Sequence, residues 1–236
     1  MLKRTIGMIT ALILLFAFSS CSRADSSVGS STQTSQQTEI SSENESSDVS
    51  AFGDTDILVA YFSVPETDGV DTVAGASRVV VDGEVLGNNQ YIANIISRET
   101  GGDLFRIETV QAYPATHDDL LNFAYEERSD DARPQLSSEI ENPEAYDIVF
   151  LGYPNWNSDL PMPLYTFLEQ NDLSGKTIVP FTVHGGSGFS GTIETIAELQ
   201  PGATVIENGL SVSRNNVPDA ESEVISWLEE LGFNQQ

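Results

Sequence analysis

Three short segments of the sequence carry residue types that bind ligands through backbone groups, amides and aromatic rings. The first is Gly87-Asn88-Asn89-Gln90, which opens a predicted helix, and Ser63 precedes it at the end of a predicted strand. Small residues at a helix N-terminus leave free backbone N–H groups and the positive end of the helix dipole facing outward. The segment predicts an anion site, and asparagine acting only as a helix cap is the alternative.

The second segment combines two aromatic residues with proline and amides. It contains Tyr153, Pro154, Asn155, Trp156 and Asn157, directly after a predicted strand. Because loops run over the protein surface, these rings could stack on a planar ligand. The alternative is that Trp156 packs against its own domain, and the residues alone do not separate the two interpretations.

The third segment is rich in glycine. Its candidate ligand-binding residues are Thr182, His184, Gly185, Gly186, Ser187 and Gly188. Glycine lets backbone amides approach a ligand closely, because no side chain stands in the way. His184 is either a general base or, more commonly for a single loop histidine, a hydrogen-bonding or packing residue. No spacing of cysteine, histidine or aspartate in the sequence predicts a metal site.

An alternation of strands and helices positions these segments. Short β-branched runs predict buried parallel strands at residues 57–62, 147–151, 177–182 and 204–206, and a polar–apolar alternation predicts an edge strand at 104–110. Helical apolar stripes lie between them, which predicts a doubly wound α/β fold. Ligands of such sheets bind outside the carboxyl ends of the strands, so the three segments converge on one rim. A flat, phosphorylated cofactor fits all three.

Charge narrows the class of ligand and partner. The chain has 10 Lys and Arg against 36 Asp and Glu, a formal net charge of −26, which disfavours nucleic acid as a partner. Within the three segments and residues 64–86, Arg78 is the only cation. A triphosphate or a second phosphate normally requires Arg or Lys, whereas a monophosphate can be held by amides and hydroxyls. A monophosphate ligand is therefore predicted.

The N-terminal residues predict export. Lys3 and Arg4 precede an apolar run too short to span a bilayer, which is typical of a signal peptide over residues 1–21. The run ends in Phe18-Ser19-Ser20-Cys21, which resembles the lipobox of bacterial lipoproteins, and the resemblance implies lipidation of Cys21. Residues 22–53 are mostly small and polar, which predicts a disordered tether before a domain at 54–236.

Together the motifs resemble the flavodoxin-like superfamily. The resemblance rests on Leu58-Val59-Ala60-Tyr61-Phe62-Ser63, Gly87-Asn88-Asn89, Phe150-Leu151-Gly152-Tyr153-Pro154-Asn155-Trp156 and Phe181-Thr182-Val183-His184-Gly185-Gly186-Ser187-Gly188. It implies a five-stranded parallel sheet in the order 2-1-3-4-5 with helices on both faces. It also implies FMN, with the phosphate in the first segment and the ring between the other two. Residues 64–86 depart from the family pattern, and Asp82-Gly83 predicts a small hairpin within them.

The resemblance implies a redox protein that holds FMN and transfers electrons at the outer face of a membrane. Its partner would be a redox protein or a small-molecule electron acceptor, and the lipid anchor would be its contact with the membrane. Two alternatives stay open: an NAD(P)H-dependent reductase of quinones or nitro compounds, and a non-redox binding module that has lost FMN. A hydrolase is disfavoured, since the sequence has no Gly-x-Ser-x-Gly motif.

Overall fold

The computed structural model describes residues 55–65 and 78–233, which lie within one compact unit over residues 47–236. The predicted signal peptide, the tether and Cys21 lie outside the described residues, so these stay predictions. Within the described part of the chain, no helix is long and apolar enough to cross a membrane.

Strands and helices alternate along most of the chain. The strands are β1 (Ile57–Tyr61), β2 (Arg78–Val81), β3 (Glu84–Gly87), β4 (Asp103–Arg106), β5 (Ile148–Pro154), β6 (Thr177–His184), β7 (Thr204–Val205) and β8 (Leu210–Ser213). The α-helices are α1 (Asn88–Thr100), α2 (His117–Ser129), α3 (Met162–Gln170), α4 (Thr192–Leu199) and α5 (Glu221–Glu230). Short 3-10 helices occupy Pro143–Ala145 and Val217–Asp219.

The main sheet is parallel and runs in the order β4-β1-β5-β6, followed by β7 and β8. Both β7 and β8 pair with β6. β7 pairs with the first two residues of β6, and β8 pairs with the last four residues of β6. The two short strands therefore share the fifth position. Counted as core strands in chain order, the sheet confirms the predicted arrangement 2-1-3-4-5.

The second and fifth core strands differ most from their predicted forms. The second core strand ends at Arg106 instead of residue 110, and the chain beyond it forms an antiparallel bridge between Thr109 and Leu136. The predicted strand over 104–110 is therefore a shorter strand followed by an isolated bridge to a different segment. The fifth core strand consists of two pieces, and β8 was not predicted from the sequence.

Helices cover both faces of the sheet, as a doubly wound fold requires. Side chains of β1 alternate between two cores: Val59 and Tyr61 pack with α1 and α5, whereas Leu58 and Ala60 pack with α2, α3 and α4. All residues of β1 and β5 are buried, which matches their continuous apolar sequence. The two buried faces fix the register of the central strands, because a one-residue shift would exchange them.

The predicted hairpin forms between β2 and β3. Its turn residues, Asp82 and Gly83, have φ values of 53° and 86°, the left-handed conformation that a two-residue hairpin turn requires. Val79 is buried in the core that contains α1. The hairpin ends at Gly87, which is the N-cap of α1.

Candidate functional site

Ser63 and Gly87 meet at the carboxyl end of β1, although residues 64–86 separate them in sequence. A Cβ atom placed on Gly87 would lie 2.0 Å from Ser63 Oγ and 2.9 Å from Ser63 Cβ. The φ of Gly87 is −72°, an ordinary value, so the space beside Ser63 is what requires glycine here. The insert therefore leaves the two halves of the first segment in contact, which the sequence did not show.

The N-terminus of α1 follows directly. Gly87 N donates to Gln90 Oε1 at 3.3 Å, so the Gln90 side chain caps the helix. Asn88 and Asn89 are both buried, with 1% of their surface exposed. Asn89 Oδ1 has no hydrogen-bond partner among the residues that the structure describes. A buried acceptor without a partner costs about 1–3 kcal/mol, so this atom favours a ligand that carries a donor.

Tyr153 and Pro154 are placed differently from expectation, and the Thr182 hydroxyl already has a partner. Tyr153 and Pro154 belong to β5 instead of a loop, and Tyr153 is fully buried with its hydroxyl 2.8 Å from Thr192 Oγ1. Thr182 Oγ1 donates to Tyr153 O at 2.7 Å inside the sheet. The expected position of Tyr153 in a surface loop was therefore wrong, because β5 extends three residues beyond its predicted end. Thr182 lies within the predicted strand, and its hydroxyl is bonded to the Tyr153 carbonyl.

Asn155 joins the second and third segments. Its backbone N donates to Val183 O at 3.1 Å, and its Nδ2 donates to Gly188 O at 2.6 Å. Asn155 is 4% exposed, and its Oδ1 has no partner within the described ranges. The rim thus holds a second buried carbonyl oxygen that lacks a donor, and this one lies between the two loops predicted to flank a ring.

Trp156 lies in the core that contains α2, α3 and α4. It is 6% exposed, contacts Phe62 edge-on with ring centroids 5.5 Å apart, and lies 5.7 Å from the ring of Tyr113. The next residue, Asn157, is exposed in a tight turn. Arg128 Nη1 donates to Asn157 O at 2.9 Å. Of the two interpretations left open for Trp156, this geometry favours packing.

The third segment forms an exposed loop after β6. Gly185, Gly186 and Ser187 are exposed, and Gly186 and Gly188 have φ values of 133° and 58°, where glycine is favoured. His184 Nδ1 accepts a hydrogen bond from Gly186 N at 2.9 Å, so this nitrogen carries no proton. Partial burial lowers the pKa of His184, in agreement with the neutral ring. His184 shapes the loop, and the Gly186 amide is occupied.

Two arginines near the rim were missed from sequence. Arg106, the last residue of β4, places Nη2 3.5 Å from Ser63 O and Nε 3.3 Å from Glu108 Oε1. Arg214 N donates to His184 O at 2.9 Å after β8, beside the glycine-rich loop. Arg106 ends a strand whose end was wrongly predicted, and Arg214 follows a strand that was missed. The expectation that Arg78 is the only cation near the rim is therefore wrong.

A cleft of about 290 Å³ opens beside Ser63. Its walls include Phe62, Ser63, Arg106, Glu108 and Tyr113. The hydroxyl of Tyr113 donates to Glu127 Oε2 at 2.5 Å, and burial raises the pKa of both residues. The cleft places the Ser63 hydroxyl and the Arg106 guanidinium within reach of one ligand.

The described residues contain no group of three or more His, Cys, Asp or Glu side chains that could hold a metal ion.

The fold defines a class, the doubly wound α/β proteins, and the candidate site lies at the carboxyl ends of β1, β5 and β6. The flavodoxin family profile matches residues 78–231, more than half of the chain, and the chain belongs to this family. The comparison with curated proteins found no match.

Solved structures agree with the family. A candidate flavoprotein from Bacteroides eggerthii is 27% identical, with a TM-score of 0.52, and the match covers 75% of this chain and 97% of that one. A flavoprotein from Lactobacillus acidophilus, solved in complex with FMN, is 19% identical with a TM-score of 0.51, over 73% of this chain and 98% of that one. The second likeness establishes the shared fold.

Proposed function

We propose that this chain is an FMN-binding redox protein that transfers electrons at the outer face of a cell membrane. The observation that carries the proposal is the pair of buried acceptors, Asn89 Oδ1 and Asn155 Oδ1, that lack partners among the described residues at one rim. A ligand with a hydrogen-bond donor near each of the two oxygens would satisfy them. Membership of the flavodoxin family supports FMN as that ligand.

The residues at the rim fit the parts of FMN. Ser63 and the N-terminus of α1 would bind the phosphate, since free N–H groups and the helix dipole favour an anion. Asn89 Oδ1 would accept from a hydroxyl of the ribityl chain, and Asn155 with the loop after β6 would border the ring. When bound, FMN supplies reversible electron transfer, and the chain contributes binding, orientation and exclusion of water.

The contact between Ser63 and Gly87 bears on the non-redox alternative. A phosphate loop interrupted by residues 64–86 was the main argument for a module that has lost FMN. Since a Cβ on Gly87 would overlap Ser63 Oγ, the two halves of the loop adjoin despite the insert. This geometry supports a working phosphate site.

The strong negative charge favours some redox partners over others. A chain with a formal net charge of −26 repels acidic proteins and attracts basic ones, and it leaves neutral small molecules unaffected. We therefore propose a basic redox protein or an uncharged small-molecule acceptor as the partner.

Flavin titration tests the proposed function. We expect the purified full chain, freed of bound flavin, to quench FMN fluorescence saturably and to bind riboflavin at least tenfold more weakly. Riboflavin lacks the phosphate, and hydrogen bonds to a charged group are worth about 1.5–3 kcal/mol each. Absence of saturable binding by either flavin would contradict the proposal, and equal affinities would show that the phosphate site is not used.

The lipid anchor is tested separately from the flavin. We expect Cys21→Ala to move the chain from the membrane fraction to the soluble fraction, because each buried CH₂ of an acyl chain contributes about 0.8 kcal/mol. Ser26→Ala, five residues further along the predicted tether, is the matched control and should stay with the membrane. Membrane association that persists in Cys21→Ala would refute lipid anchoring and leave the flavin proposal untouched.

A further inference from the structure

We infer that Arg106 binds the phosphate of the flavin, so that the anion site of this chain includes a guanidinium group as well as amides and hydroxyls. The inference rests on the proposed function and adds a specificity-determining residue to it. It also replaces the expectation from sequence that amides and hydroxyls alone hold the phosphate.

The position of Arg106 follows from the sheet. Arg106 pairs with Tyr61 in the parallel register of β4 and β1, and Ile107 N donates to Tyr61 O at 2.8 Å. Its neighbour Phe105 packs into the core that contains α2, α3 and α4. Because side chains alternate along a strand, Arg106 lies on the opposite face, which α1 covers.

Ser63 links Arg106 to the start of α1. Arg106 Nη2 lies 3.5 Å from Ser63 O, and Ser63 Oγ lies 2.0 Å from the position of a Cβ on Gly87. The guanidinium and the helix N-terminus therefore flank the same serine. Asn89, the second residue of α1, is buried, and its Oδ1 has no partner within the described residues, so it would accept from a donor group of the same ligand next to the phosphate.

The competing partner of Arg106 is weak. Glu108 Oε1 lies 3.3 Å from Arg106 Nε. The Arg106 side chain is 41% exposed, and the Glu108 side chain is 53% exposed. Exposed pairs of this kind contribute about 0–1 kcal/mol, whereas Arg and a phosphate form short bidentate hydrogen bonds. Arg106 and Ser63 also line the 290 Å³ cleft, which gives an anion room to reach the guanidinium. A phosphate can therefore displace Glu108.

Two substitutions with opposite expected signs test the inference. We expect Arg106→Ala to weaken FMN binding by about tenfold or more and to leave riboflavin affinity unchanged, since the lost contact is with the phosphate. Glu108→Gln should tighten FMN binding by up to about fivefold, because it frees the guanidinium. Arg98→Ala removes an exposed arginine from the last turn of α1, at the opposite end of that helix from Gly87, and is the matched control that should change neither affinity.

Salt adds a second readout in the same titrations. The advantage of the unmodified chain over Arg106→Ala should shrink as NaCl is raised, because salt screens a partly exposed charge. An FMN-to-riboflavin ratio in Arg106→Ala equal to that of Arg98→Ala would overturn the inference while leaving the proposed function intact. Failure of the unmodified chain to bind any flavin would overturn both.

Discussion

Replacing Gly87 by alanine should weaken FMN binding by about 10- to 100-fold, the largest effect that we expect from any substitution at the rim. The added Cβ would lie 2.0 Å from Ser63 Oγ, and the Ser63 Cβ at 2.9 Å leaves little room for rotation to relieve the overlap. Overpacking of this kind costs about 1–3 kcal/mol, and here the displaced atoms form the phosphate site. FMN titration of the variant measures the loss.

Two further variants distinguish the overlap with Ser63 from a general effect of replacing glycine at an end of α1. Gly101→Ala places a Cβ at the opposite end of α1, where φ is 74° and no atom lies within 4 Å, so it costs backbone strain of about 1–2 kcal/mol without an overlap. It should lower stability and leave FMN affinity nearly unchanged. Ser63→Gly combined with Gly87→Ala should recover part of the affinity by removing the overlap. Wild-type affinity in Gly87→Ala alone would show that this contact does not shape the site.

Trp156→Ala should lower the free energy of unfolding by about 3–5 kcal/mol, the typical cost of removing a buried tryptophan. The ring is 6% exposed and contacts both Phe62 and Tyr113, so its removal leaves a cavity beneath the rim. Trp156→Phe keeps part of the edge-on contact with Phe62 and should lose less. Denaturant unfolding of both variants measures the difference.

Trp227→Ala is the matched control for flavin binding. Trp227 is 5% exposed, donates from Nε1 to Asn208 O at 3.0 Å, and packs in the other core, which contains α1 and α5. If Trp156 acts by packing alone, the two alanine variants should lose similar stability, and FMN affinity measured on folded protein should fall little in either. A much greater loss of FMN affinity in Trp156→Ala would show that its ring also contacts the flavin.

Much of the fold could be predicted from local sequence. The apolar stripes of the helices and the buried β-branched runs of β1, β5 and β6 are contiguous patterns, and the structure confirms each element. The ends of the strands were less accurate: β5 continues to Pro154 and β6 to His184. Pairing between β5 and β6 includes Pro154 and Val183, and His184 pairs with Ser213 of β8, so tertiary pairing holds residues that are typical of loops. The four-residue β8 was missed because its alternation of Leu and Ser is too short to predict a strand alone.

The errors in the site have the same origin. Tyr153 was expected at the surface because proline and asparagine follow it, yet strand pairing extends past it and buries the ring. Arg106 was missed because the second core strand was expected to continue to residue 110. Once that strand ends at Arg106, the parallel sheet places its side chain beside the end of β1.

The sequence by itself determined the class of fold, the three rim segments, the hairpin at Asp82-Gly83 and the acidic character of the chain. Only the tertiary structure decided that Ser63 meets Gly87 across the insert, that Arg106 reaches Ser63, and that Trp156 is buried against Phe62. The reason is physical: periodicity and turn chemistry depend on neighbours along the chain. Contacts between distant residues depend on where each strand ends and on which face its last side chain lies.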